Sequence, residues 1–446
     1  MKRNIVFFFS DQQRFDSLGV NGQALPVSPN LDRFAKEAAV NFTHAYTPQP
    51  VCGPARSCLQ TGLYATQTGC FRNSIPLPEE IPTLAKRLKQ AGYNVAYVGK
   101  WHLGIDEGSA NMLTDSCGPT LIEKRGGYDD YWMASDLLEM TSHGYDGYVY
   151  DKDNQRVDFK GYRADCITQY GIDYIQNYES DKPFFLFISN LEPHQQNDHF
   201  NFEAPEGYRE RFTDYDKPSD LTPGIGDWEA YYPDYLGCCH SLDENFQRVL
   251  NALQEKGFVE ETMVIYTSDH GCHFRTLLDE CTQGGYDDYK RNPFENSIHI
   301  PLLIQGAGFT PGHQEDRLVS LLDLPRTILT YAGCQPDETV QGRSLVDLDK
   351  QSDWDNAVYI QISESYVGRV LRTDRFKYVI YDPDKNPWND RLGDRYRERY
   401  LFDLKEDPEE ARNLVDDPGY SEIKNMLREQ LRDMARQAGE GSIKIE

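Results

Sequence analysis

At 446 residues the chain is too long for one small core, so one large domain or two unequal ones are expected. A net charge of −26 excludes nucleic acid and anionic membranes as general partners, and any anionic ligand needs cations focused locally against that background. The hydrophobic share of 39% is that of a globular protein, and no apolar run approaches the length of a membrane span.

The amino terminus, MKRNIVFFFSDQQ, carries two basic residues and then an apolar run, Ile5 to Phe9. That run is too short for the core of a signal peptide and has no small-residue cleavage site behind it. It reads as a buried first strand, and the expected location is cytoplasmic, or secreted or periplasmic if a leader has been removed. Asp11 and Gln12 end this strand as adjacent oxygen donors, although an Asp after a strand is more often a turn residue or helix cap. SPNLDRFAKEAA follows as a helix capped at Ser28 or Asn30.

In TPQPVCGPARSCLQTG, Thr47 to Gly62, proline and glycine around Cys52 predict a tight, rigid turn, with Arg56 four residues on. The plain readings of Cys52 are a buried structural thiol, half of a disulfide or a zinc ligand. The 10 cysteines form no disulfide framework and no C-x-x-C pair, and Cys238 and Cys239 are adjacent in a helical stretch. Reduced thiols fit better, and a zinc cluster loses support. Cys58 reads as a small buried residue.

YNVAYVGK is the next strand and leads into Lys100 and His102; PFFLFISN leads to His194; TMVIYTSD ends at Asp269 and His270. Lys290 stands shortly before PLLIQG, another strand. Near-continuous apolar runs separated by amphipathic helices predict an α/β fold, a large mostly parallel sheet sandwiched by helices. Polar residues at the carboxyl ends of such strands are where open α/β sheets bind ligands. From about residue 355 the pattern alternates with short turns, and a charged helix closes the chain. The expected division is 1–354, a catalytic domain, and 355–446, a smaller antiparallel-sheet-plus-helix domain.

The two carboxylate pairs could converge on one divalent cation, and the mostly hard oxygen donors suit calcium in preference to magnesium or manganese. A lone Lys is usually solvated surface and a lone His a hydrogen-bonded structural residue. Lys100, His102, His194 and Lys290 all fall near strand ends, and with Arg56 they could surround a bound anion.

CGPAR followed by SCLQTG resembles the C-x-P-[SA]-R-x-x-x-x-T-G signature of type I sulfatases, in the alkaline phosphatase superfamily. SDQQ, GKWHLG, the PH after a central strand, SDHG, the lysine before PLLI, GRSL and YLFDLKEDPEEARNL agree with that family in chain order, over nearly the whole chain. The resemblance implies an alkaline-phosphatase-like fold and sulfate-ester hydrolysis. It implies oxidation of Cys52 to formylglycine by a maturation enzyme that reads Pro54 and Arg56. The hydrated aldehyde attacks sulfur, the alcohol leaves, and the second hydroxyl expels sulfate. By the same resemblance Asp11, Gln12, Asp269, His270 and one oxygen of modified Cys52 bind the metal. Arg56 and Lys100 hold the diol, His102 assists elimination, and His194 and Lys290 grip the sulfate.

Many sulfatases have a second Asp where this chain has Gln12 and an Asn where it has His270. The Asp-Gln and Asp-His pairs also resemble choline sulfatases and phosphonate monoester hydrolases. A phosphonate monoester or phosphodiester hydrolase is therefore the alternative reading, and a non-catalytic anion-binding protein the third. The expected partner is a small sulfated substrate, a saccharide. Its specificity site is sought in QQNDHF after His194 and in the loop holding Trp388, Arg391, Arg395 and Arg397, whose plainer reading is a solvated charged loop. His199 and His273 fit structural or substrate-contact roles equally.

Overall fold

The computed structural model describes residues 3–105, 116–277, 289–335 and 338–446. Its strands, in chain order, are β1 (Asn4–Asp11), β2 (Val40–Phe42), β3 (Ala45–Tyr46), β4 (Asn94–Lys100), β5 (Tyr131–Ser135), β6 (Asp146–Asp151) and β7 (Arg156–Lys160). There follow β8 (Phe184–Pro193), β9 (Thr262–Ser268), β10 (His299–Ile300), β11 (Leu302–Gln305), β12 (Gln314–Glu315) and β13 (Val319–Ser320). The last four are β14 (Ala357–Ile362), β15 (Val367–Thr373), β16 (Phe376–Asp382) and β17 (Arg397–Asp403).

A 10-stranded sheet runs β12-β2-β11-β9-β1-β8-β4-β5-β6-β7. Its centre, β9-β1-β8-β4-β5, is parallel throughout, while β11 joins β9 antiparallel and β6 and β7 extend the other edge antiparallel. The PLLIQG strand thus belongs to the sheet but runs against the central direction. The apolar run of β1 is buried on both faces, which is why it shows no alternation. Ile5, Phe7 and Phe9 face one core with the helices Cys52–Thr61, Leu84–Gln90 and Asp323–Tyr331. Val6 and Phe8 face the other, with Pro29–Glu37, Arg163–Gln176 and Trp228–Glu255. Four rings in register across β1, β8, β4 and β5 form a ladder: Phe7 on Phe187 at 4.6 Å, Phe187 on Tyr97 at 5.0 Å, and Tyr97 on Trp132 at 5.4 Å. Each such contact adds about 0.5–1.5 kcal/mol beyond area burial.

The second sheet, β14-β15-β16-β17, is antiparallel with 4 strands. Tyr359, Leu371 and Tyr378 pack under the helix Ser421–Gln437 through Leu427, Leu431 and Ala435. The opposite face, with Val358, Ile360, Val370 and Val379, packs on Tyr46, Ile298 and Leu318 of the larger body. The 9 described cysteines are all free thiols, and Cys281 lies outside the described residues. No described helix is long and apolar enough to cross a membrane.

Candidate active site

Register brings the site together. Ser10 pairs with Ser268, so the next residues, Asp11 and Asp269, leave the sheet side by side at the carboxyl ends of β1 and β9. Asp11 is opposite Pro193, which places His194 on the other flank, and Gly99 opposite Ser189 brings Lys100 to the same edge. Gly99 has φ +95°, and a Cβ there would stand 1.9 Å from the Ser189 carbonyl oxygen, so β4 can approach β8 this closely only with glycine. Gln12 and His102 hold φ of 67° and 61°, left-handed values for side-chain-bearing residues just past strand ends.

Cys52 differs from the sequence expectation in its setting. It opens the helix Cys52–Thr61 after the extended N-cap Val51, so the segment is a first helical turn rather than a tight loop. Pro54 fits because N–H groups in that turn have no intrahelical acceptor. Asn73 Oδ1 accepts one of them, from Gly53, at 2.9 Å. All residues of the helix are buried. Cys52 Sγ stands 3.4 Å from Asp11 Oδ1 and 3.1 Å from His270 Nε2. Burial and then Asp11 push the thiol pKa well up, so Cys52 here is a neutral thiol.

Arg56 Nη2 donates to Asp11 Oδ2 at 2.9 Å, its Nη1 donates to the Lys100 carbonyl and to Ser189 Oγ, and its Nε lies 3.6 Å from Asp269 Oδ2. Lys100 Nζ sits 3.0 Å from Asp11 Oδ2 and 3.0 Å from Glu139 Oε1. Burial would raise the Asp11 pKa, but Lys100, His194 and Arg56 hold it well below the usual carboxylate range. Lys290 Nζ donates to Gln12 Oε1 at 3.1 Å and to His194 Nε2 at 2.9 Å. The His194 tautomer that fits carries its proton on Nδ1, donating to the Gln195 carbonyl. His102 Nδ1 is buried without a hydrogen-bond partner, and burial, then Lys100 and Arg56, keep this ring neutral.

The ligand atoms of Asp11, Cys52, Asp269 and His270 all lie within 4.8 Å of one another, and all four residues are buried. Asp269 Oδ1 accepts the backbone N–H of Gln12 and of His270, while its buried Oδ2 accepts no hydrogen bond. Such an orphaned carboxylate oxygen beside a second ionised carboxylate fits a hard divalent cation.

A cavity of about 330 Å³ lies beside this core, lined by Gln195, Asn197, Phe200, Arg275, Tyr289, Arg291 and Trp388. Gln195 Oε1 accepts from Gln12 Nε2 at 2.7 Å, and Tyr289 and Arg291 flank Lys290 in sequence. Trp388 and the segment after His194 therefore reach the cavity. The other arginines of the Trp388 loop are not among its lining residues. Arg391 donates to the Thr66 carbonyl, Arg395 lies 3.8 Å from Glu446, and Arg397 is exposed on β17. In their place stand Arg275 and Arg291, which the sequence reading passed over; the only signal was adjacency to His273 and Lys290. Glu139 and Ser189 were missed too. Cys58 is buried as expected. His273 is buried with Nε2 3.4 Å from the Lys290 carbonyl, and His199 is half exposed against Glu203.

The sulfatase family model matches residues 3–334, and a model for the C-terminal region of N-sulphoglucosamine sulphohydrolase matches residues 283–437. The chain belongs to the sulfatase family, with an alkaline-phosphatase-like fold, and is a sulfuric ester hydrolase. YidJ, an uncharacterized sulfatase of Escherichia coli K12, is 29% identical over 97% of this chain and 87% of its own. The N-acetylglucosamine-6-O-sulfatase of Bacteroides thetaiotaomicron is 24% identical over 97% of this chain and 86% of its own. The phosphonate monoester hydrolase of Agrobacterium radiobacter superposes with a TM-score of 0.75 at 23% identity, over 98% of this chain and 96% of that one, a likeness of fold.

Proposed function

We propose that this enzyme removes sulfate from a carbohydrate, a mono- or oligosaccharide of the glycosaminoglycan type. Residue 52 acts as formylglycine, and one divalent cation, calcium in preference to magnesium or manganese, is held by Asp11, Gln12, Asp269, His270 and residue 52. The observation that carries the reading is the cavity of about 330 Å³ opening beside the buried charge cluster, with an indole and two guanidinium groups in its lining. That volume is at the small end of ligand sites, and an aromatic face with charged donors suits a sugar bearing acidic groups. Descent from one family with a carbohydrate sulfatase supports the same substrate class.

The cation, when bound, supplies Lewis acidity toward the ester oxygens, and the hydrated aldehyde of residue 52 supplies the oxygen nucleophile where Sγ now stands. The chain's own groups do the rest. Arg56 and Lys100 keep Asp11 ionised and fixed. Lys290, oriented by the lone pair of His194 Nε2 at 2.9 Å, presents an ammonium to the negative charge that grows on the leaving oxygen. His102 Nδ1, neutral and unpartnered, accepts the proton released during elimination of sulfate. Residues 355–446 wall the sugar side through Trp388.

The test uses protein from a host that has the formylglycine-generating maturation enzyme. Mass spectrometry of the residue-52 peptide should show a loss of about 18 mass units, since oxygen replaces sulfur and two hydrogens are lost as CH2–SH becomes CHO, a change outside the simple thiol oxidation ladder. Sulfate and phosphate esters of one alcohol are then assayed in parallel, with sulfated saccharides and choline sulfate alongside. Faster release of sulfate, greatest from a saccharide, is the expected result. Faster release from phosphate or phosphonate esters would move the assignment to the phosphonate monoester hydrolases, which the Gln12 and His270 pattern resembles as it does the choline sulfatases. Fully active protein carrying only thiol at residue 52 would overturn the mechanism.

A further inference from the structure

Outside the catalytic cluster, a second group of metal-ligating side chains stands at the edge of the cavity. Ligand atoms of His143, Asp198 and His199 lie within 4.8 Å of one another. His143 follows the short helix Leu138–Thr141, whereas Asp198 and His199 sit on the turn closed by the Gln196 N–H to Asn201 carbonyl bond. The two imidazole rings face each other at 4.6 Å and 12°. His143 Nε2 is 2.9 Å from Asp198 Oδ2. Each side chain is close to half exposed, at 46%, 55% and 47%, so it can make the small rotations that coordination needs.

The groups behind these three are those that metal sites use to orient ligands. Glu203 Oε1 is 2.5 Å from His199 Nδ1, which fixes the proton there and leaves Nε2 as the lone-pair nitrogen. Glu203 Oε2 accepts the backbone N–H of Gly144, next to His143, so one carboxylate braces both histidine-bearing segments. Gln196 Nε2 donates to Asp198 Oδ1 at 2.9 Å and leaves Oδ2 toward the histidines. His143 Nε2 donates to Asp198 Oδ2, and a bound cation takes the place of that proton while the ring keeps its proton on Nδ1. Two imidazole nitrogens and one carboxylate oxygen, within 4.8 Å of one another, then become its ligands.

We propose that His143, Asp198 and His199 form a second metal site, for zinc, with water completing a tetrahedral shell, supported by Glu203. Two imidazoles and a carboxylate prefer a borderline ion over calcium, and among the commonly available borderline ions zinc accepts four-coordinate geometry most readily. The site is separate from the catalytic cation, whose donors are buried and mostly oxygen. Its consequence follows from the turn. Asn197 and Phe200, on either side of Asp198 and His199, line the cavity, and Phe200 holds a left-handed φ of 52°. An ion linking the turn to His143 fixes the wall that the leaving group meets.

The experiment is equilibrium dialysis of the whole protein against micromolar Zn2+ in saturating Ca2+, with bound metal counted by elemental analysis. One zinc per chain is expected, retained in Asp269→Asn and lost or at least about 10-fold weaker in His143→Ala, Asp198→Asn and His199→Ala. Glu203→Gln is expected to weaken it about 10- to 100-fold without removing a ligand. Thermal unfolding of each variant without zinc checks that the half-exposed substitutions leave the fold intact. Zinc binding that survives all three ligand variants, that disappears only in Asp269→Asn, or that is absent from the parent protein overturns the proposal.

Discussion

Arg56 shows how much of the site rests on one planar group. Its guanidinium touches Asp11, the Lys100 carbonyl and Ser189, lies 5.1 Å over the Phe9 ring, and is 2% exposed. A lysine has the charge but not the fork, and it cannot satisfy a carboxylate, a carbonyl and a hydroxyl in three directions at once. Arg56→Lys is expected to destabilise the fold by about 2–3 kcal/mol, from buried partners left unpaired. Its kcat should fall by about 100-fold or more, because Asp11 is no longer held. Urea titration and steady-state kinetics on a sulfate ester give both numbers. A variant with unchanged stability and turnover would mean that Lys100 alone fixes Asp11. Asp11, Lys100, His194 and Asp269 were legible because each stands at or just past the end of an apolar strand run, and Arg56 because it follows Cys52 by four residues. Glu139, the second carboxylate on Lys100, was not: it lies 39 positions on by the numbering, in a segment without a motif.

Between residue and domain, the helix Pro29–Glu37 marks the limit of reading elements from local sequence. Its start was legible, since Ser28 is the N-cap and Pro29 sits in the first turn. Its cap was not. Ser28 makes no capping bond to the helix; Asp243, from the middle of Trp228–Glu255, accepts the N–H of Leu31 at 2.7 Å and of Asn30 at 3.2 Å. Ser28 Oγ instead accepts from Gly19 N and donates to Asp32. A cap supplied from 212 residues away leaves no local trace. The edge strands β6 and β7 were missed for a related reason, since their half-exposed residues give no continuous apolar run. Burial pushes the Asp243 pKa up to about 6, against the N–H groups of Leu31 and Asn30 that favour the charged form. Its folded pKa is above the unfolded value of about 3.9, so the folded state binds the proton more tightly. The stability this group contributes is therefore fully present below about pH 4 and is lost as pH rises through about 6. Asp243→Asn should flatten that part of the stability curve relative to the parent. Asp243→Ala removes the cap and the titration together, so it should cost about 1–2 kcal/mol near pH 4 and less as pH rises through about 6. Denaturant midpoints at several pH values between 4 and 7 test both, and parallel curves for parent and Asp243→Asn would exclude the titration.

Across the whole molecule, the question is what holds the second sheet, and with it Trp388, against the catalytic edge. The antiparallel character of β14–β17 was legible from alternation, but the docking contacts were not, because they join residues from distant stretches. Glu364 Oε1 accepts the N–H of Asn73, whose own Oδ1 accepts from Gly53 beside Cys52, and Glu364 Oε2 pairs with Arg291 at 2.6 Å. Arg72 Nε donates to the Trp388 carbonyl at 2.8 Å. An electrostatic tie centres on Glu295, five residues after Lys290. Its Oε1 is 3.1 Å from Arg372 Nε and 2.9 Å from Lys377 Nζ, both on the second sheet, while its Oε2 accepts from Tyr46 on the larger body. Glu410 pairs with the same Lys377 and accepts the Glu295 N–H at 2.8 Å. Burial would raise the Glu295 pKa, yet Arg372 and Lys377 hold it well below the carboxylate range, so it stays ionised. Removing one member of a buried network leaves the others uncompensated and costs about 3–5 kcal/mol. Glu295→Ala strands Arg372 and Lys377 with Glu410 alone, on the interface that positions both Lys290 and the Trp388 wall. A stability loss of that size is expected in urea titration. In the folded variant, activity on a sulfated saccharide should fall further than activity on a small aryl sulfate, because the wall is displaced while the buried cluster around Asp11 keeps its own partners. Equal losses on both substrates would show that Glu295 acts on Lys290 itself, and a stability loss below about 1 kcal/mol would show that the apolar contact of Val358, Ile360 and Val370 with Tyr46 and Ile298 holds the sheet without it.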